Sequence, residues 1–237
     1  MKGKNVLTVI SACLMALALA TVSGAAQIDV TVTNQTGGIY FTPLLVAAHD
    51  SSTHLFEAGT AASDDLSLMA QCGDVSALVS DASLSGADTV VNPAGGPLAP
   101  GLSATAAIDT DMSGNTHLSI VAMMLPTNDG FIGLDALEIP AATGTYTYYL
   151  FGYDAGTEAN DELISSEMCA VGVDGIPNPL GITAVDGTGV AGTDTNTLVH
   201  IHRGTLGDTD PSGGTSDLDS TAHRWLNPVA RVVLSVQ

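Results

Sequence analysis

The stretch IDVTVT, residues 28–33, alternates apolar and polar side chains with a period of two. Because successive side chains of an extended chain point to opposite faces, Ile28, Val30 and Val32 share one apolar face. This pattern is typical of a strand that has one face in a core and the other in water. The sequence therefore predicts a half-buried β-strand here, and with it a β-rich fold.

Similar short runs recur along the chain, separated by Gly, Asn, Asp and Pro. They predict further strands at residues 40–47, 118–125, 146–151, 168–173, 198–202 and 229–236. Residues 55–80 differ, because they are rich in Ala, Leu, Ser and Asp, and Ser63 followed by two aspartates is a typical helix start. We expect an all-β fold, an antiparallel β-sandwich with one or two short helices inserted after the second strand. Without a long linker, residues 27–237 are predicted to form one domain.

The N-terminus has the pattern of a secretory signal peptide over residues 1–26. Lys2 and Lys4 precede an apolar stretch, and small residues follow it at positions 23–26. An alternative is a lipobox ending at Cys13, but the apolar stretch continues beyond that cysteine, which favours ordinary cleavage. No later run approaches the roughly 20 apolar residues of a membrane helix. We expect a secreted protein, extracellular or periplasmic, with no transmembrane segment after cleavage.

The charge balance is strongly acidic. Loss of Lys2 and Lys4 with the signal changes the formal net charge from −20 to −22 and leaves Arg203, Arg224 and Arg231 as the remaining basic residues. Such a surface repels nucleic acids and anionic membranes, so the sequence predicts no nucleic-acid partner. It suits cations, or a saline medium in which repulsion between carboxylates is screened.

Two cysteines, Cys72 and Cys169, remain after cleavage. In an oxidising compartment a single disulfide between them is expected. Two buried free thiols are the alternative, since spacing in the sequence does not establish proximity in space.

Motifs of enzyme active sites are missing from the sequence. It contains no G-x-S-x-G elbow, no H-E-x-x-H pair and no C-x-x-C pair. Residues 187–192, GTGVAG, match the spacing of a dinucleotide-binding loop, but the residues after them form a poor helix, so the run predicts an ordinary loop. We therefore predict a protein that is not an enzyme.

Two patterns suggest metal sites. His200 and His202 alternate on a predicted strand and would share a face, where His223, or His49 and His54, could join them as ligands of copper or zinc. Hydrogen-bonded histidines on a polar strand face are the alternative. A loop with the spacing of a calcium-binding loop supplies Asp208, Asp210 and Asp219, although these are also ordinary turn residues.

The densest acidic group comes from two segments that a hairpin through residues 143–145 would place side by side. Its members have no basic residue nearby, and they are Asp129, Asp135, Asp154, Glu158, Asp161 and Glu162. Carboxylates in contact repel one another and raise one another's pKa. A hard divalent cation with oxygen ligands relieves that repulsion, so Asp129, Asp154 and Glu158 are predicted to bind calcium, with Asp135 and Asp161 as further candidates.

Several segments together resemble the spondin N-terminal domain of F-spondin and mindin. They occur in the family's order and are residues 40–74, PTNDGFIGLDAL (126–137), YDAGTE (153–158) and NPVARVVLSV (227–236). The resemblance implies a C2-like sandwich and a calcium site at Asp129, Asp154 and Glu158. The chain departs from the family pattern at Gly130, where the family has tryptophan, and at Glu158, where it has aspartate. A Cys72–Cys169 bridge would also differ from the cysteines of animal members.

We therefore expect a secreted, non-enzymatic, calcium-binding protein for adhesion, matrix or cell-surface assembly, with an extracellular protein or glycan as partner. One alternative is a copper or zinc protein that uses the three histidines His200, His202 and His223. Another is a structural subunit that assembles into filaments through exposed strand edges.

Overall fold

The structure, a computed structural model, describes residues 27–81, 84, 86–110, 114–167, 169, 172–191 and 195–237. The predicted signal peptide lies outside the described residues. Within these ranges the chain forms ten strands and three short α-helices. In chain order they are β1 (Gln27–Asn34), β2 (Tyr40–Phe41), β3 (Leu45–His49), α1 (Asp64–Cys72), α2 (Ser76–Ser80), β4 (Asp88–Val91), β5 (Ser103–Asp109), β6 (His117–Leu125), β7 (Gly130–Glu138), β8 (Gly144–Asp154), β9 (His200–Ile201), α3 (Ser220–His223) and β10 (Ala230–Val236).

The strand β1 follows its alternating sequence. It pairs antiparallel with β10 on one side and with β5 on the other, so that Val30 faces Leu234 and Ala106 across the two ladders. The side chains of Ile28, Val30 and Val32 are buried. The alternation in the sequence therefore predicted correctly which face of this strand lies in the core.

One hydrogen-bonded path, β4-β3-β6-β7-β8-β10-β1-β5, runs through the sheet, with β2 on β6 and β9 on β8. The long strand β8 joins the two halves of this path, the half before it (β4-β3-β6-β7) and the half after it (β10-β1-β5). Its residues 151–154 pair with β7, and its residues 144–150 pair with β10. The two ends of the path approach each other where the Asp109 N–H donates to Asp88 Oδ2 at 2.5 Å. The chain is thus an all-β, antiparallel fold as predicted, but its strands form one nearly closed sheet rather than the two separate sheets of the predicted sandwich.

The core lies between the two halves of the sheet, and a second apolar layer lies outside β6. Leu118, Ile120 and Met124 of β6 pack into the inner cluster. The intervening Val121 and Met123 pack with the buried face of α1 in the outer cluster. Both faces of β6 are therefore covered, which is why its sequence is continuously apolar rather than alternating.

The helical region begins as predicted, after the segment that was predicted to form the second strand. The predicted strand at residues 40–47 is divided into β2 and β3, and α1 and α2 follow β3. Ser63 caps α1, since its Oγ accepts a hydrogen bond from Leu66 N at 3.1 Å. Helix α3 was not predicted. In the predicted strand at 168–173, Cys169, Gly172 and Val173 lie outside any strand, and the other residues are not described.

Cys72 at the end of α1 forms a disulfide with Cys169, with a Cα–Cα distance of 5.4 Å. The bond joins the outer helix to the chain that follows β8. No helix within the described residues is both long and apolar enough to cross a membrane.

Candidate functional site

The pairing of β7 with β8 places two acidic residues next to each other. Gly130 faces Asp154 in the register, and the Ala155 N–H donates to the Asp129 carbonyl at 3.2 Å. Asp129 and Asp154 are both buried, with 0% and 1% of their surface exposed. Two carboxylates that are separated by 25 positions in the sequence thus meet inside the protein.

A tight turn after β8 shapes the loop beside these carboxylates. Asp154 Oδ1 accepts a hydrogen bond from Gly156 N at 2.8 Å, and Gly156 has a φ of +71°. A Cβ on Gly156 would lie 2.6 Å from the backbone carbon of Thr197. Glycine is therefore required here both for the left-handed backbone and for the close approach of the neighbouring chain.

The turn places hydrogen-bond donors of residues 157 and 158 next to the Asp129 carboxylate. Asp129 Oδ2 accepts hydrogen bonds from Thr157 N (2.7 Å), Thr157 Oγ1 (2.9 Å) and Glu158 N (3.0 Å). The other oxygen, Oδ1, is buried and has no hydrogen-bond partner in the part of the chain that the structure describes. On the neighbouring carboxylate, Asp154 Oδ2 accepts from Asn160 Nδ2 at 2.6 Å. One buried carboxylate oxygen therefore remains available to a ligand.

Burial and repulsion perturb the acidity of this group. Burial, together with the charge of Asp154, raises the pKa of Asp129 to about 6, although the hydrogen bonds from Thr157 and Glu158 oppose the shift. Burial also raises the pKa of Glu158 to about 8, with further contributions from Asp129 and Asp174, against a hydrogen bond from Gly175 N. Perturbed carboxyl groups of this kind are frequent at functional sites.

The third predicted ligand, Glu158, is less well placed than the other two. Its Oε2 accepts the Gly175 N–H at 3.3 Å. Across the described ranges, no group of three or more Asp, Glu, His or Cys side chains lies together in a way that could hold a metal ion. The carboxylates of Asp129 and Asp154 interact, and further ligands would have to be backbone carbonyls, water or a reoriented Glu158.

The two additional candidates near this group make other contacts. Asp135 forms an ion pair with His54, with Oδ2 2.5 Å from Nδ1, and also accepts from Leu55 N at 3.0 Å. Asp161 accepts from Asn128 Nδ2 at 2.8 Å. Asp135 is therefore engaged by His54 and Leu55 and does not contact Asp129 or Asp154 through these bonds.

The loop that resembles a calcium-binding loop uses its acids to build turns. Asp208 accepts backbone N–H groups from Asp210, Thr215 and Ser216, which lowers its pKa. Asp219 caps α3 by accepting from Thr221 N at 2.7 Å. Asp210 is exposed and accepts from the Ser212 N–H at 3.1 Å. These contacts are those of ordinary turn residues.

The three histidines have separate environments. His200 Nε2 lies 3.8 Å from Asp154 Oδ2, while the His200 Nδ1 bonds to the Leu198 carbonyl. His202 is buried against Trp225, with ring centroids 5.0 Å apart. His223 accepts from the Asp219 N–H through Nδ1 in α3. The predicted alternation of His200 and His202 on one face does not gather the three side chains into one site.

The family model described as Spondin_N matches residues 33–176, more than half of the 237-residue chain. The chain belongs to the spondin N-terminal domain family. The matched range includes Asp129, Asp154 and Glu158, and it ends before residues 227–236, which contain the whole of β10 in the structure. Comparison with curated proteins finds no match.

Several residues that organise this spondin site were not predicted from the sequence. Thr157 and Asn160 hold Asp129 and Asp154, and Asn128 accepts the Glu162 N–H at 3.2 Å. Thr and Asn are common in any polar loop, so nothing in their spacing distinguishes them from solvent-exposed neighbours. Their roles follow from the pairing of β7 with β8.

The raised pKa values predict that the protein loses stability as pH rises. Glu158 binds its proton more tightly in the folded state, where its pKa is about 8, than in the unfolded chain, where it is near 4.5. The folded state therefore holds more protons in this window, and the free energy of unfolding falls with increasing pH. Between pH 6 and pH 8 we expect a loss of about 2 kcal/mol, or roughly 4–8 °C in Tm.

Thermal melts in a chelating buffer from pH 5 to pH 9 would measure this effect. Glu158→Gln cannot ionise and should flatten the profile between pH 6 and pH 8. Glu138→Gln, at an exposed position, is the matched control and should keep the slope. A wild-type Tm that is constant or rises over this interval would contradict the prediction.

Proposed function

We propose that this spondin domain is a secreted, non-enzymatic, calcium-binding module that acts in adhesion, matrix or cell-surface assembly. One observation carries the proposal. Asp129 and Asp154 lie buried side by side, and Asp129 keeps one oxygen with no hydrogen-bond partner among the described residues, while the His200 imidazole lies 3.8 Å from Asp154 Oδ2. Burial of two adjacent carboxylates is costly unless a cation or a proton compensates.

The chemistry of the donors fits a hard cation. Carboxylate oxygens are the ligands that calcium prefers, and backbone carbonyls and water can complete its six to eight positions. Asp129 and Asp154 would provide the anionic ligands, and Glu158 is close enough to affect Asp129 electrostatically. The His200 imidazole, 3.8 Å from Asp154 Oδ2, is the group near this pair that would favour copper or zinc instead.

Calcium would connect the end of the β7–β8 hairpin to the loop that follows it. The loop is already attached to Asp129 through the Thr157 and Glu158 amides. Neutralisation of the carboxylates would fix this loop in one conformation and present it to an extracellular protein or glycan. Extracellular modules often bind calcium with Kd on the order of 10⁻⁴–10⁻³ M, close to the concentrations outside cells.

Thermal stability as a function of calcium tests the proposal. A ligand that binds only the folded state adds about 2.7 kcal/mol at a hundredfold excess over Kd, which corresponds to a rise in Tm of roughly 5–10 °C. We expect this rise for residues 27–237 after chelation and titration with calcium. Asp154→Asn should abolish it, because the variant removes one of the two buried negative charges.

The matched control is Asp210→Asn, an exposed acid of the loop that resembles a calcium-binding loop. It should keep the full calcium response. Loss of the response in Asp210→Asn but not in Asp154→Asn would move the ion to the 208–219 loop. A rise with copper or zinc alone, lost in His200→Ala, would favour the transition-metal alternative. No response to any of these metals would reject metal binding.

A further inference from the structure

The outer face of β8 contains a groove of about 370 Å³ that is lined by aromatic rings, and we call it the aromatic groove. Its rings belong to Phe56, Tyr149, Phe151 and Tyr153. The whole chain has four Phe, five Tyr and one Trp, so a large share of its aromatic side chains is concentrated in one small surface feature. In a chain with so few aromatic residues, four aromatic rings in one groove indicate a specific role for this surface.

Strand geometry creates the groove. Tyr149, Phe151 and Tyr153 alternate along β8 and therefore share one face. Gly133 of β7 lies opposite Phe151 and lets the Phe56 ring pack against the strand, since a Cβ there would lie 2.4 Å from that ring. The Phe56 and Tyr153 rings are in contact, with centroids 4.8 Å apart, and this contact fixes one wall of the groove.

Two of the rings are exposed to solvent. Tyr149 is 53% and Phe151 is 44% exposed, and they are the aromatic residues among the exposed large hydrophobic side chains of the described ranges. Ile201, which faces Tyr153 across the β8–β9 ladder, extends the same patch and is 51% exposed. A contiguous exposed apolar patch indicates a binding surface.

The charged side chains that line the groove are both acidic, and they are Glu57 and Asp135. Asp135 pairs with His54, whose pKa is raised chiefly by its hydrogen bond to Asp135. Glu57 is exposed and forms no ion pair within the described residues. The faces of aromatic rings carry partial negative charge and attract cations, most strongly when a carboxylate is close.

We propose that the aromatic groove binds lysine or arginine side chains of a basic segment in a partner protein. The rings would contact the alkyl stem and the cationic head, and Glu57 would pair with the charge. The strongly acidic chain attracts a basic partner at long range, and it repels anionic glycans and a second copy of itself. The proposal does not depend on calcium, because Asp129, Asp154 and Glu158 do not line the groove.

Binding of fluorescein-labelled octalysine in calcium-free buffer with chelator tests this proposal. Tyr149→Ala/Phe151→Ala removes the two exposed rings without altering net charge. At about 0.5–1 kcal/mol for each exposed ring, its Kd should rise about five- to thirtyfold. The control Leu102→Ala/Leu226→Ala removes two exposed apolar side chains outside the groove and should stay within about twofold.

Charge and ring identity provide two further readouts. Glu57→Gln should weaken binding more than Glu138→Gln, which removes one exposed charge elsewhere, and Phe151→Tyr should retain binding because it keeps the ring. Circular dichroism and Tm verify that each variant is folded. Equal octalysine affinity of wild type and the double-ring variant would overturn the proposal, since binding would then reflect the acidic surface in general. Ring-dependent binding of chitohexaose, with none of octalysine, would overturn it in favour of a glycan.

Discussion

Replacement of both Cys72 and Cys169 by alanine is expected to lower the free energy of unfolding by about 4–5 kcal/mol. The disulfide spans 97 positions of the sequence, so it removes a large amount of conformational freedom from the unfolded chain. In the folded protein it ties α1 to the segment that follows the acidic loop. Because small and medium domains are stable by about 5–15 kcal/mol, this loss is a large fraction of the total.

Urea denaturation of the wild type and of the double variant measures the difference. Dithiothreitol should destabilise the wild type by a similar amount and leave the double variant unchanged, which serves as an internal control. In thermal melts the loss corresponds to roughly 10–20 °C. A loss below about 1 kcal/mol, or an equal effect of dithiothreitol on both proteins, would contradict a stabilising disulfide between these residues.

Glu162→Ala is expected to destabilise the protein by about 3–5 kcal/mol, because it leaves three donors without their acceptor at about 1–3 kcal/mol each. Glu162 is buried, and its carboxylate accepts from Leu206 N (2.6 Å), Gly207 N (2.8 Å) and Ser216 Oγ (2.7 Å). Alanine would leave these donors buried without an acceptor, which costs more than the net gain of an ordinary hydrogen bond. The carboxylate thus joins the loop after β8 to two distant segments of the chain.

Two matched variants separate this effect from general consequences of substitution. Glu162→Gln keeps one acceptor oxygen and should cost less than half as much, whereas Glu138→Ala, at an exposed position, should stay within about 0.5 kcal/mol. Alanine also keeps a Cβ at the φ of +60°, so the backbone contribution is unchanged. Free energies from urea denaturation decide the result, and an effect of Glu162→Ala equal to that of Glu138→Ala would refute the structural role.

The two proposed sites use opposite faces of the same strand. Successive side chains of β8 alternate between faces, so Asp154 is buried at the candidate calcium site while Tyr153 lines the aromatic groove. Calcium at the end of β8 would hold the strand end that also carries Tyr153. The groove itself is complete without the ion, because its walls are fixed by ring contacts and by Gly133.

Much of the fold could be read from local pattern. The alternation in β1, the continuous apolar run of β6 and the helix start at Ser63 each match the structure. The strand β5 was not predicted. Alanine occupies three of its positions, and its small side chain makes the apolar alternation weak. The quoted segments also identified the spondin family, which the family match over residues 33–176 confirms.

The sequence by itself determined that the chain is acidic, rich in strands and provided with a cluster of carboxylates around residues 129–162. The tertiary structure decided which carboxylates meet. Asp129 lies beside Asp154. Asp135 instead pairs with His54, and Asp208 accepts hydrogen bonds from backbone N–H groups of its own loop. The aromatic groove likewise depends on Gly133 lying opposite Phe151. Periodicity reports which face of a strand is apolar, but contacts between strands depend on register, which is fixed only when the two apolar faces pack together.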